Sequence, residues 1–158
     1  MRILRFILVL TVLLLALPGA QGARYKEIGP ARVYQVQTDF ETARDNLKDA
    51  IEGRGMVISY VSHAQAMLDR TAPVVGKQHS VYGKAEILLF CKADLSHRLV
   101  EANPHNIVLC PYAIAVYTLR DQPGVVYYAY RKPYLAEPAF RPIVKLLDEL
   151  IAEAIEAA

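Results

Sequence analysis

The period of the apolar positions changes several times along this chain, and each change marks an element. Met1-Arg2-Ile3-Leu4-Arg5 leads into an apolar run from Phe6 to Leu17, broken only by Thr11, and then into Pro18-Gly19-Ala20-Gln21-Gly22. The run falls short of the roughly 20 residues that a spanning helix needs. A basic start, a short apolar region and small residues at 20 and 22 are the signature of a secretory signal peptide cleaved after Gly22. Residues 23–30 show no period and read as a leader or linker. Ala31 to Gln37 alternates and reads as a strand. Thr38-Asp39-Phe40-Glu41 has the spacing of a capping box, with Thr38 as N-cap and Glu41 returning to it. Phe40, Ala43, Leu47, Ala50 and Ile51 then form one helical stripe, ended by Gly53 or Gly55.

The second half continues in the same way. Met56 to Val61 is a short β run, and His63 to Arg70 fits two helical turns with Ala66 and Met67 inward. Residues 71–84 carry Pro73, Gly76 and Gly83 and read as a loop. Ala85 to Cys91 is nearly all apolar, as in a strand buried on both faces. A short helix through Leu99 and Val100 stops at Asn103-Pro104. Ile107 to Leu119 reads as a strand, Arg120 to Gly124 as a turn, and Val125 to Tyr130 as the returning strand of a hairpin. From about Pro142, Ile143, Leu146, Leu147, Leu150, Ile151, Ala154 and Ile155 keep a helical face to the end. The pattern predicts one α+β domain over 31–158: a two-layer sandwich with a mixed, mostly antiparallel sheet and helices mainly on one face.

Composition changes this picture little; charge and compartment change it more. The chain has 158 residues, 54% hydrophobic and 22% charged, which excludes a disordered tail. Of its 18 Lys+Arg, Arg2 and Arg5 belong to the leading segment, so 16 remain against 16 Asp+Glu. A neutral domain without a basic run is not built to neutralise phosphates, so nucleic acid is not an expected partner. No further membrane span is expected once the signal is removed. The expected location is periplasmic or secreted, an oxidising setting for Cys91 and Cys110.

Met67-Leu68-Asp69-Arg70-Thr71, Phe90-Cys91, Cys110-Pro111-Tyr112 and Tyr130-Arg131-Lys132-Pro133 follow one another in a recognisable order. Over residues 31–157 the chain resembles the domain of unknown function 302 family, as an exported, two-cysteine branch. Members often have Cys-Asn-Pro or Gly-Asn-Pro where this chain has Cys91-Lys92-Ala93, and Leu-Pro where it has Cys110-Pro111. The resemblance implies an α+β fold and self-association as a homodimer, and it implies no reaction.

No catalytic signature is present: no phosphate loop, nucleophile elbow or dinucleotide fingerprint. No cofactor is expected. Cys91 and Cys110 bracket 18 residues, and three states are open to them: a disulfide, two free thiols packed as small hydrophobes, or reactive or metal-binding sulfur. His63 and Met67, spaced i, i+4, would complete a soft N/S ligand set for copper with the two cysteines. Tyr112, Tyr117, Tyr127, Tyr128, Tyr130 and Tyr134 crowd the hairpin and its exit. Their apolar bodies and polar tips suit an interface or ligand surface, which Arg131 would rim with positive charge. The functional expectation is a non-catalytic binding or self-association module. The alternative is a periplasmic sulfur- or copper-handling protein using Cys91, Cys110, His63 and Met67.

Overall fold

The computed structural model describes residues 23–133 and 138–158; the signal-peptide reading and Tyr134 fall outside them. The strands are β1 (Tyr25–Ile28), β2 (Ala31–Gln37), β3 (Val57–Ser62), β4 (Tyr82–Cys91), β5 (Tyr112–Leu119) and β6 (Val125–Arg131). The helices are α1 (Phe40–Gly53), α2 (Ala64–Thr71), α3 (Ala93–Ala102) and α4 (Arg141–Glu156). The six strands form one sheet in the order β1-β2-β6-β5-β4-β3. Every pairing in it is antiparallel, so the expected α+β sandwich stands with no parallel component.

Alternation divides the sheet into two faces. The inner face carries Tyr34, Leu88, Phe90, Tyr112, Ile114, Val116, Val126, Tyr128 and Tyr130, all buried. α1 and α4 close over it. α1 contributes the stripe read from the sequence, Phe40, Ala43, Leu47, Ala50 and Ile51. α4 buries Ile143, Val144, Leu146, Leu147, Leu150, Ile151 and Ala154. Each large side chain fully buried here stabilises the fold by roughly 1.5–3 kcal/mol relative to exposure, so this one layer of contacts dominates folding.

Several local expectations shift. Residues 25–28 are not a loose leader: they pair with β2 from Tyr25↔Tyr34 to Ile28↔Ala31. The cap of α1 is Asp39 rather than Thr38; its carboxylate accepts the Thr42 N–H at 2.9 Å and the Thr42 hydroxyl at 2.7 Å. Glu41 is thereby free to pair with Lys84 on β4. Ala66 and Met67 do not face inward; both are exposed on α2. The stretch 107–111 is not strand. Pro104–Leu109 winds as a 3-10 helix, and β5 begins only after a cis Cys110–Pro111 bond. Gly83 marks a slip in the β4–β5 register. A Cβ there would lie 2.8 Å from Thr118 Oγ1, the atom that accepts the Lys84 N–H at 3.0 Å.

Candidate functional site

The outer face of the sheet is built from the alternate positions. β5 presents Ala113, Ala115, Tyr117 and Leu119; β6 presents Val125, Tyr127, Ala129 and Arg131. β4 adds Ala85, Ile87 and Leu89, and β2 adds Ala31, Val33, Gln35 and Gln37. None of the outward residues on β2, β5 and β6 is buried. Among these positions Arg131, at the end of β6, is the single charge.

The centre of this face has relief. Ala115 stands opposite Ala129, and Tyr117 opposite Tyr127. The two tyrosine rings stack at 5.3 Å with planes 16° apart. Tyr82 meets the Tyr117 ring edge-on at 5.4 Å. An aromatic ridge therefore lies beside a hollow floored by two methyl groups, which the neighbouring Val33 and Ile87 extend on either side. The Tyr127 hydroxyl donates to the Gln122 side chain, which steers the ridge.

The tyrosines predicted as one surface thus separate. Tyr127 and Tyr117 lie on the open face. Tyr112, Tyr128 and Tyr130 belong to the core, at 3%, 0% and 2% exposure. Their hydroxyls are satisfied from within: Tyr128 donates to the Ala43 carbonyl of α1 at 2.8 Å, and Tyr112 lies 3.2 Å from the Ser96 hydroxyl of α3. Burial pushes the phenols of both residues above the ordinary tyrosine range. Arg131 is exposed and reaches a shallow cleft of about 210 Å³ with Pro111, Pro133 and Leu147.

A polar cluster that the sequence gave no sign of joins the sheet to α4. Arg32 is 6% exposed and donates to Asp148 Oδ2 at 2.6 Å and to Glu27 Oε1 at 3.1 Å. The other Asp148 oxygen accepts the Tyr34 hydroxyl at 2.6 Å and the Tyr130 hydroxyl as well. The Tyr25 ring lies 3.9 Å from the Arg32 guanidinium carbon, a cation–π contact. Burial, then the Asp148 carboxylate, raise the pKa of both phenols, so they remain donors. The cluster holds the edge of the sheet to its helix layer, and among the described residues it leaves one buried donor, the Arg32 Nε–H, without a partner.

The candidate soft ligands are divided. β4 and β5 run antiparallel with Phe90 opposite Tyr112, which brings Cys91 and Cys110 to the same end of the sheet. His63 lies elsewhere, its ring 3.3 Å from Glu86. Five residues of β4 at about 3.3 Å each separate Glu86 from Cys91. Met67 is exposed on α2. The four residues therefore form no common copper site. Among the described residues no group of three or more His, Cys, Asp or Glu is placed to hold a metal ion. Among the same residues no helix is long and apolar enough to cross a membrane.

The family model described as "Domain of unknown function DUF302" matches residues 32–158. The chain belongs to the DUF302 family. The match begins inside β2 and runs to the last residue, so it takes in both sheet faces, both cysteines and the whole of α4. No curated protein matches the sequence. Among solved structures, the crystal structure of an uncharacterized conserved DUF302 protein from Bacillus stearothermophilus superposes with a TM-score of 0.62. It is 16% identical, and the match covers 82% of this chain and 98% of that one. At that identity the likeness speaks for the fold.

Proposed function

We propose that this DUF302 protein is a non-catalytic, exported module that associates with a second copy of itself through the open face of its sheet. The observation that carries the reading is the ridge of Tyr117 and Tyr127 beside the hollow of Ala115 and Ala129. A ridge next to a hollow is self-complementary. A two-fold axis between them seats each ridge in the other copy's hollow, as an isologous interface requires. Charge supports the same occupant, because the centre of the face is uncharged and its two charges, Lys26 on β1 opposite Val33 and Arg131 at the end of β6, lie at its margins. Area supports it too. Six strands about 4.8 Å apart and about seven residues long span on the order of 600 Å², close to the ~800 Å² per partner of a standard interface.

The outward tyrosines fit the role. Each supplies a large, stiff contact area and keeps a hydroxyl for the rim. Export is proposed on the leading segment of the sequence, with its basic start, short apolar run and small residues near 22. Sedimentation of the chain from residue 23 tests the association. The wild type is expected to sediment as a dimer and Ala129→Arg as a folded monomer. A wild type that remains monomeric at high micromolar concentration overturns the reading.

A further inference from the structure

We infer that Cys91 and Cys110 are a disulfide-forming pair that closes by exchange with an external disulfide, locking the α3 corner onto the end of the sheet. Both residues lie at one end of the β4–β5 ladder. Phe90 pairs with Tyr112; one further step along the ladder sets Cys91 across from Pro111, and Cys110 is the residue next to it. Neighbouring strands are about 4.8 Å apart and one residue along a strand is about 3.3 Å, so the diagonal of about 6 Å falls within the Cα separation of about 4.4–6.8 Å that a disulfide spans. The chain between them, 92–109, holds α3 and the 3-10 turn after it, so one covalent bond would tie that excursion at its base.

The two cysteines differ in access, and that sets the order of events. Cys91 is exposed and Cys110 half-buried. The Cys91 sulfur lies beside the Cys110 thiol, the Tyr112 N–H and the Ser96 hydroxyl. Desolvation, then the adjacent Cys110 sulfur, raise the Cys91 pKa above the ordinary thiol range. A thiol that ionises late is a slow nucleophile, so the pair is suited to holding a bond rather than to turning over as an exchange catalyst.

The exchange has two steps. Cys91 loses its proton and attacks one sulfur of an external disulfide, RS–SR. A Cys91–SR bond forms, the S–S bond breaks, and the first RS⁻ leaves and takes up a proton. Cys110 then loses its proton and attacks Cys91 Sγ, which expels the second RS⁻ to be protonated in turn. The pair is oxidised by two electrons, and the external disulfide is reduced to two RSH.

Oxidised glutathione is the probe, and intact mass under non-reducing, denaturing conditions is the readout. The wild type is expected to lose both titratable thiols and two hydrogens while remaining one chain. Cys110→Ser is expected to stop at a glutathione adduct on Cys91, and Cys91→Ser to acquire adduct at least tenfold more slowly. The same measurement on Ala129→Arg separates this inference from the association reading, since a bond within one chain forms with or without a partner. A wild type that keeps both thiols, or that oxidises to a covalent two-chain species, overturns the pairing. Equal adduct rates on the two single variants overturn the order of attack.

Discussion

The two faces of this sheet are made from the same strands and nearly the same residue types, yet they are built for different purposes. β6 shows it in six residues. Val126, Tyr128 and Tyr130 point inward and are buried, and the two phenols donate, Tyr128 to the Ala43 carbonyl and Tyr130 to Asp148. Val125, Tyr127 and Ala129 point outward and are met by no such partners from the helix layer. An apolar residue therefore does not identify the core of this protein; what lies across from it does. The inner tyrosines are fixed at both ends, ring in the core and hydroxyl in a hydrogen bond. The outer ones have a ring that packs on its neighbours and a surface that remains to be covered.

The largest expected contrast is between Leu88 and Leu89, adjacent on β4 and opposite in face. Leu88→Ala should lower unfolding free energy by about 2–5 kcal/mol, the range for deleting a fully buried aliphatic side chain. Leu89→Ala should cost the monomer less than about 1 kcal/mol, since the side chain is already half in water. Urea titration of both checks the pair, and equal losses would mean the two faces are energetically alike.

Next comes the polar seam on the inner side. Asp148→Ala removes the acceptor of two phenols and one guanidinium, and leaves Arg32 with Glu27 alone. The expected loss is about 1–3 kcal/mol, measured by thermal or urea unfolding. Asp148→Asn should recover part of it, because the amide oxygen can still accept one phenol.

The pH dependence has a sign that follows from the same residues. Tyr34, Tyr112, Tyr117, Tyr128 and Tyr130 all have raised pKa values, chiefly through desolvation. Their contribution to stability is complete below the ordinary phenol pKa of about 10 and is lost as pH rises toward the folded values. At the acid end the carboxylates shift the other way. Asp69 is held down at about 2, first by the Ser80 backbone N–H, at 2.7 Å. Its contribution is present above about pH 4 and is lost as the pH falls toward 2. Unfolding titrations should show declines above pH 10 and below pH 4. Phenolate absorbance of these five should rise with unfolding rather than before it.

The smallest effect on folding, and the most informative for function, belongs to Tyr127→Ala. It removes half of the outer ridge, should change monomer stability by less than about 1 kcal/mol, and should weaken association at least tenfold.

How much of this was legible in the sequence depends on which residues carried a period. α1 and α4 were readable because their apolar residues repeat at helical spacing against a charged background. The hairpin of β5 and β6 was readable from the turn chemistry between Arg120 and Gly124. Alternation sets Tyr127 apart from Tyr128 and Tyr130, but which side the helices cover was not legible, because Val125 to Tyr130 is apolar at every position. β1 was invisible for the opposite reason: Tyr-Lys-Glu-Ile is exposed throughout and is a strand only because β2 offers it a ladder. Ile107-Val108-Leu109 misled by composition, since this apolar run, enclosed by Pro104 and Pro111, winds as a 3-10 turn. The Arg32–Asp148 pair is separated by 116 positions and has no local signal. That both cysteines share one end of the sheet awaited the antiparallel pairing of β4 with β5.

Sedimentation equilibrium of the chain from residue 23, with Ala129→Arg and Ala115→Arg beside it, tests the account at its centre. The wild type is expected as a two-chain species and both arginine variants as single, folded chains with unchanged circular dichroism. A single-chain wild type, or a two-chain species that survives both substitutions, would contradict it.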